Sequence, residues 1–327
     1  MKRFITICIS ALFCVTAMAQ QSHVVAFYNV ENLFDTINSP TTADEDMLPL
    51  ADRQWTTERY KAKLKNISNA IAGISSQHDY PTLMALAEVE NRAVLENLIA
   101  EPALAPASYA ICHYDSPDER GIDVALLYRP DLFHLQGSKT IPAQTDNPTR
   151  DILTVWGTID GESIFVAVVH WPSRIGGVKF TEPQRIACAE QLRAIVDSVQ
   201  HRNPATKIII MGDMNDNPRN KSISSVLGAK RKTTNLAHND LYTPFGSTKR
   251  GSSVYDNKWN HYDNIILSAN MLRGEGVRLR SVNKNAGHIF SQPDMLSRRG
   301  YPLPTYSGTE YIGGTSDHLP IYIILNK

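Results

Sequence analysis

A chain of 327 residues in which 33 basic side chains balance 33 acidic ones carries no global basic field, so any attraction to a polyanion must be local. Four cysteines exclude a disulfide-rich scaffold. Beyond residue 19 no run approaches the roughly 20 apolar residues of a membrane helix, so no transmembrane segment is expected.

Lys2 and Arg3, the apolar stretch from Phe4 to Val15 and the small-x-small triplet Ala17-Met18-Ala19 read as a secretory signal peptide over residues 1–19. The mature chain is then exported, periplasmic or extracellular. Cys14 follows Phe13, which fits a lipoprotein cleavage site poorly. Cys112 and Cys188 are too few and too far apart for a zinc site. Export permits a bridge between them, and two separately buried thiols are the plainer reading.

The β-rich stretch His23–Tyr28 predicts a first strand that ends in the polar Asn29-Val30-Glu31-Asn32. Residues 35–52 hold Pro40 and Pro49 among polar side chains and predict a long loop. From Arg59 to Ser76 apolar residues recur at helical intervals (Leu64, Ile67, Ala70, Ile71, Ile74). Thr82–Ala87 predicts a buried strand ending at Glu88, and Asn91–Ala100 a second helix closed before Pro102. Five strand patterns follow: Tyr109–Tyr114, Ile122–Tyr128, Phe133–Ile141, Ile152–Ile159 and Ser163–Val169. Turn signals at Pro117, Arg129-Pro130, Pro142 and Asp160-Gly161 divide them, and the last ends at His170. Thr181–His201 has an amphipathic helical pattern and leads into Lys207. Ile208-Ile209-Ile210 then reads as a buried strand that stops at Gly212, with Asp213, Asn215 and Asp216 behind it and Pro218 opposing continuation. The chain stays mostly polar up to Tyr262. Asp263–Leu267 and Leu319–Leu325 are the remaining strands, the second entered from Ser316-Asp317-His318. No repeat or linker interrupts residues 20–327, so one domain is expected there.

Six strand ends therefore carry polar chemistry: Asn29/Glu31, Glu88, His170, Asp213/Asn215, Asp263 and Asp317/His318. Any one of them is an ordinary turn residue. Together they suggest a site, because ligands of α/β sheets gather at strand ends. Glu31, Glu88, Asp213 and Asp317 are acceptor-only when ionised and suit hard cations such as Mg2+ or Mn2+. Carboxylates with two histidines and nearby arginines suit attack of water on a phosphate ester.

Asn29-Val30-Glu31-Asn32, Ala87-Glu88-Val89-Glu90-Asn91, Val169-His170-Trp171, Gly212-Asp213-Met214-Asn215, Tyr262-Asp263-Asn264-Ile265 and Ser316-Asp317-His318-Leu319-Pro320 resemble, in order, the blocks of the endonuclease/exonuclease/phosphatase superfamily. Its members include pancreatic deoxyribonuclease, abasic-site endonucleases, neutral sphingomyelinases and inositol polyphosphate 5-phosphatases. The resemblance runs from about His23 to Leu325. It implies a four-layer α/β sandwich, two mixed sheets face to face with helices outside. It also implies that Glu88 is the main metal ligand, that Asn29 and Glu31 support the metal or a second ion, and that Asp317 completes that side. His318, oriented by Asp263, would act with Asp213 on the water, with the base left open between them. Asn215 and His170 would hold phosphoryl oxygens, with His170 a candidate acid or transition-state donor.

Arg174, in Trp171-Pro172-Ser173-Arg174, is a candidate phosphate clamp or a solvated loop residue. Arg120 either faces the cleft or closes a hairpin salt bridge. Lys249, Arg250, Lys258 and Trp259 form a local mixture of cations and an aromatic that suits a phosphodiester chain, or a solvated loop. The Asp213 and Asp263 blocks lack the Trp and Cys carried by the inositol-phosphatase members. A phosphodiester, most favourably nucleic acid, is the expected substrate. Sphingomyelinase-like or inositol-phosphatase-like turnover is the alternative, as is a non-catalytic binding module on the same fold. No exposed apolar hairpin for a bilayer is read, and no stable protein partner is implied.

Overall fold

The computed structural model describes residues 22–74, 79–273, 275–280 and 286–327. The leader read over residues 1–19, with Cys14, lies outside them, as do Ser75 and Ser76 of the first expected helix.

The chain forms two mixed sheets of seven strands each. The first contains β1 (Ser22–Leu33), β2 (Leu83–Val89), β3 (Ala110–His113) and β4 (Asp123–Tyr128). The second contains β5 (Phe133–Ile141), β6 (Ile152–Ile159), β7 (Glu162–His170), β8 (Lys207–Asp213) and β9 (Asp263–Ser268). The last strand, β10 (Ile321–Asn326), returns to the first sheet and lies beside β1. Helices α1 (Thr57–Ile74) and α2 (Arg92–Ala100) cover the outer face of the first sheet, and α3 (Val178–Arg202) covers the second. The four expected layers are present. Among the described residues no helix is long and apolar enough to cross a membrane.

The continuous apolar run of β8 follows from burial on both faces. Ile209 and Met211 enter the core between the sheets, while Ile208 and Ile210 pack under α3. The same period-two rule sets the other strands. Val25 and Phe27 of β1, Val166 and Val168 of β7, and Ile265 and Leu267 of β9 all point between the sheets. Continued to the strand ends, that parity aims Asn29, His170, Asp213 and Asp263 into the same layer.

Two elements depart from expectation. β1 runs on to Leu33, through its expected polar end, because Glu31 and Asn32 adopt left-handed φ of 51° and 54° and break the register with β2 after Asn29. The polar stretch before Tyr262 contains a hairpin, Ser253–Tyr255 with Lys258–Asn260. Its backbone closes on the entry to β10, with Leu319 N–H donating to Ser252 O at 2.7 Å. Cys112 and Cys188 are both free and buried, the first between the sheets and the second on the inner face of α3, so the plainer reading holds.

Gly212 is required by packing. A Cβ there would lie 1.9 Å from the Val169 carbonyl oxygen on the parallel neighbour β7. Gly212→Ala should therefore force β7 and β8 apart and cost about 1–3 kcal/mol, the usual scale of core overpacking. The shift of the urea midpoint measures it, and an unchanged midpoint would show that the two strands can separate without cost.

Candidate active site

Three adjacent strand ends of the second sheet supply a row of side chains. His170 is the register partner of Asp213 across the parallel β7–β8 pair, and Asp213 is the partner of Asp263 across the antiparallel β8–β9 pair. His318 approaches from the first sheet, where Nδ1 lies 2.7 Å from Asp263 Oδ2. Asp213 Oδ2 is the hub: Asn29 Nδ2 donates to it at 3.1 Å, and the Nε2 atoms of His170 and His318 each lie 3.8 Å away. Asp213 Oδ1 accepts the Asn215 N–H at 2.8 Å.

The first sheet supplies the opposite wall through a distortion. Ala87 points between the sheets, so regular alternation would turn Glu88 toward the helices. Glu88 instead has a left-handed φ of 64°, at a register break between β2 and β4. Bulges of this kind re-aim side chains beside active sites. The carboxylate turns inward and accepts from Asn29 Nδ2 at 3.3 Å and from Asn32 N–H at 3.1 Å. Arg120 reaches it from the mouth at 3.5 Å and also donates to Asn32 Oδ1. Glu31 Oε2 accepts from Thr305 N–H at 2.7 Å and faces the buried Lys63 ammonium at 3.7 Å.

Burial and the neighbouring Asp263 push Asp213 up to about 6, against His318 and the Asn215 and Asn29 donors. Asp317 is crowded by protein and by Glu31 and Glu88, which push it up to about 7, yet its side chain reaches solvent, and solvent weakens that push. Asp213, fully enclosed, is the firmer case. Burial would lower His318, but Asp263, Asp317 and Asp213 outweigh it and hold the imidazole well above its ordinary value. His170 goes the other way: burial, then the charges of Arg150, Arg120 and His318, keep it neutral. Burial would raise Glu88, but Arg120, His318 and the Asn29 amide together leave it below its ordinary range.

The donor set fits a divalent cation. Glu31, Glu88, Asp213, Asp263 and Asp317 meet Lys63, Arg120 and His318, five acidic groups against three cationic ones. Asp263 Oδ1 is also buried without a hydrogen-bond partner. Asp213, Asp263 and His318 lie close enough to share an ion, though the short His318–Asp263 bond already occupies one ligand atom of each.

A family model described as endonuclease/exonuclease/phosphatase matches residues 24–327. The chain belongs to the endonuclease/exonuclease/phosphatase family. It is a hydrolase of phosphate ester bonds. No curated protein matches the sequence. Among solved structures, humanized D. rerio TDP2 superposes with a TM-score of 0.59 at 16% identity, covering 94% of this chain and 100% of that one. ANGEL2, a 2′,3′-cyclic phosphatase, gives 0.60 at 15% identity, covering 94% and 95%. A family protein from Bacteroides thetaiotaomicron gives 0.52 at 16% identity, covering 94% and 98%. At these identities the structures show a shared fold.

Of the residues read from sequence as family positions, the structure gathers Asn29, Glu31, Glu88, His170, Asp213, Asp263, Asp317 and His318, with Arg120 at the mouth. Asn215 borders them, and its amide donates to Trp171 O at 3.0 Å, with its second hydrogen unassigned. Arg174 does not join them as a free clamp. Its Nε donates to Asn215 O at 2.6 Å, its Nη2 to Asp216 at 2.5 Å and Asn220 at 3.1 Å, and its guanidinium lies over Tyr262. It braces the loop behind Asp213. The sequence reading missed Arg185, Arg150 and Lys63, all buried. Arg185 pairs with Asp216 at 3.0 Å, and Arg150 joins Asp118 to the Trp171 carbonyl. Only a charged residue on an apolar helical face, as at Lys63 and Arg185, hinted at them.

Proposed function

We propose that this chain is an exported, single-domain, Mg2+- or Mn2+-dependent phosphodiesterase whose favoured substrate is nucleic acid. The observation that carries the reading is the convergence of five carboxylates and two histidines at one end of the sandwich. Glu88, Glu31 and Asp317 would hold the ion as hard oxygen donors. When bound, the ion polarises a phosphoryl oxygen. Asp213 and His318 would activate and orient the water as one coupled group, with Asp263 fixing the ring. Asp213, raised toward neutrality, is suited to accept a proton. Neutral His170 would donate a hydrogen bond to a phosphoryl oxygen as charge develops there, which favours the donor role over the acid role. Asn29 orients Glu88 and Asp213, Asn215 offers a second amide hydrogen, and Arg120 would meet the phosphate at the mouth.

The nucleic-acid preference draws support from relatives of the same fold. D. rerio TDP2 has been captured with a single-strand DNA product and ANGEL2 with adenosine-2′,3′-vanadate. A lipid phosphodiester is the second reading. Directly after His170, Ile175 and Phe180 are 87% and 79% exposed, an apolar surface that the sequence reading did not anticipate. The test is turnover of bis-p-nitrophenyl phosphate, single-stranded DNA, RNA, sphingomyelin and inositol polyphosphates under one set of metal and salt conditions. Metal-dependent turnover of bis-p-nitrophenyl phosphate and DNA is expected. No turnover of any phosphate ester with any divalent ion would favour the binding-module alternative, and a sphingomyelin preference would favour the lipid reading.

A further inference from the structure

A cavity opens beside the carboxylates. It measures about 170 Å³ and is lined by Glu31 and Asn32 of the site together with Met47, Arg53, Thr305, Tyr306 and Gly308. That is room for about five or six waters at ~30 Å³ each, enough for a phosphate group.

Its distinctive member is Arg53. The guanidinium lies over the Tyr306 ring at 5.7 Å and touches Met47 Sδ at 3.4 Å. Among the described residues no carboxylate forms an ion pair with it, unlike Arg120, Arg150, Arg174 and Arg185 around the site. Its backbone is fastened from two sides. Arg59 Nη1 donates to the Arg53 carbonyl at 2.5 Å and to the Gln54 carbonyl at 2.8 Å, and Tyr306 OH donates to the Arg53 carbonyl at 3.0 Å. Arg59 is held in turn against the Tyr311 ring at 4.4 Å. Tyr306 and Tyr311 pack edge-on, 5.4 Å between centroids. An arginine whose planar fork is pre-set on an aromatic face, with its charge unspent, is built to receive an oxyanion. The same wall touches the reaction centre, because Thr305 donates two hydrogen bonds to Glu31.

We propose that Arg53, set on Tyr306, is an anion subsite that takes the non-reacting phosphate next to the scissile one. The inference rests on the phosphoesterase reading above and narrows it to substrates with neighbouring phosphates. A polynucleotide or an inositol polyphosphate supplies that group. A choline headgroup instead sets its own cation against Arg53.

The experiment compares the wild type with Arg53→Ala and Arg53→Lys, using Mn2+ at fixed low salt. The substrates are bis-p-nitrophenyl phosphate, TpT, pTpT, TpTp, a short single-stranded DNA and an inositol polyphosphate. In the wild type, kcat/KM for pTpT or TpTp should exceed that for TpT by about tenfold, the scale of one charge-assisted hydrogen bond. Arg53→Ala should remove that preference through KM, and Arg53→Lys should restore part of it. A wild-type ratio near one for both phosphorylated dinucleotides, or equal losses on every substrate in the variant, overturns the subsite. The wild-type ratio needs no variant to fold. A greater Arg53 dependence on DNA than on the inositol polyphosphate assigns the polynucleotide as the source, and the reverse assigns the polyol phosphate. If the wild type turns over bis-p-nitrophenyl phosphate without preferring the phosphorylated dinucleotides, the subsite fails while the phosphodiesterase reading stands.

Discussion

Replacing His318 by alanine should lower kcat roughly 10²–10⁴-fold, the usual worth of a positioned acid or base. The ring is held by a 2.7 Å bond to Asp263 and points Nε2 toward Asp213 at 3.8 Å, too far for a direct hydrogen bond but close enough for both groups to contact one water. Removing it takes away a group that moves or holds a proton and the partner that stabilises ionised Asp213. Asp263→Asn should cost less, because the amide oxygen can still accept from Nδ1 and keep the ring in place, though without the charge that raises the imidazole. The check is kcat and KM on bis-p-nitrophenyl phosphate for both variants, with folding verified by circular dichroism. A near-normal kcat for His318→Ala would remove the dyad from the mechanism. His170→Ala should fall in the same range, from loss of a neutral donor at the developing charge.

Stripping the divalent ion should bring turnover to background, and the ion should bind more tightly as pH rises toward neutrality. The direction follows from Asp213. Burial and Asp263 raise it to about 6 in the ion-free site, from an ordinary value of 3.8. Between those values the folded protein holds a proton that the unfolded chain has lost. The ion-free fold is therefore favoured at the acid side of that window and loses this contribution as pH climbs through it. A cation next to these carboxylates competes with that proton, so its binding should release protons below about pH 6 and few well above it. Calorimetry of Mn2+ binding in two buffers of different ionisation enthalpy counts the released protons at each pH. Turnover that survives thorough chelation, or proton release that stays constant from acid to alkaline pH, would contradict the account. Glu88→Gln should weaken binding in the same assay, since it removes the charge of a carboxylate proposed to hold the ion.

Some of this was legible in the amino-acid order. Alternation of apolar residues along β7, β8 and β9 is a local property with a period of two. Once Val168, Met211 and Ile265 are inward, His170, Asp213 and Asp263 are inward too. The long helices were legible for the same reason, because α1 and α3 write a 3.6-residue period directly into the sequence. The 219–261 stretch was not, because its strands are only two or three residues long, too short to show a period.

The sequence by itself determined the strand ends that carry chemistry and the inward direction of four of their groups, Asn29, His170, Asp213 and Asp263, while the layered fold followed from the family resemblance. Only the tertiary structure decided where the remaining groups point and which cations are free. Glu88 reaches the site because a left-handed residue at a register break reverses its side, and Glu31 because a similar break lets β1 continue past Asn29. Alternation rules predict the opposite face for Glu88. Arg174 and Arg53 look alike in sequence, each an arginine in a polar loop outside the strands. One is consumed by Asp216, Asn220 and the Asn215 carbonyl, and the other lies on an aromatic ring with its charge unspent. A side chain's charge is a property of its residue type, but whether that charge is available depends on what long-range folding sets against it.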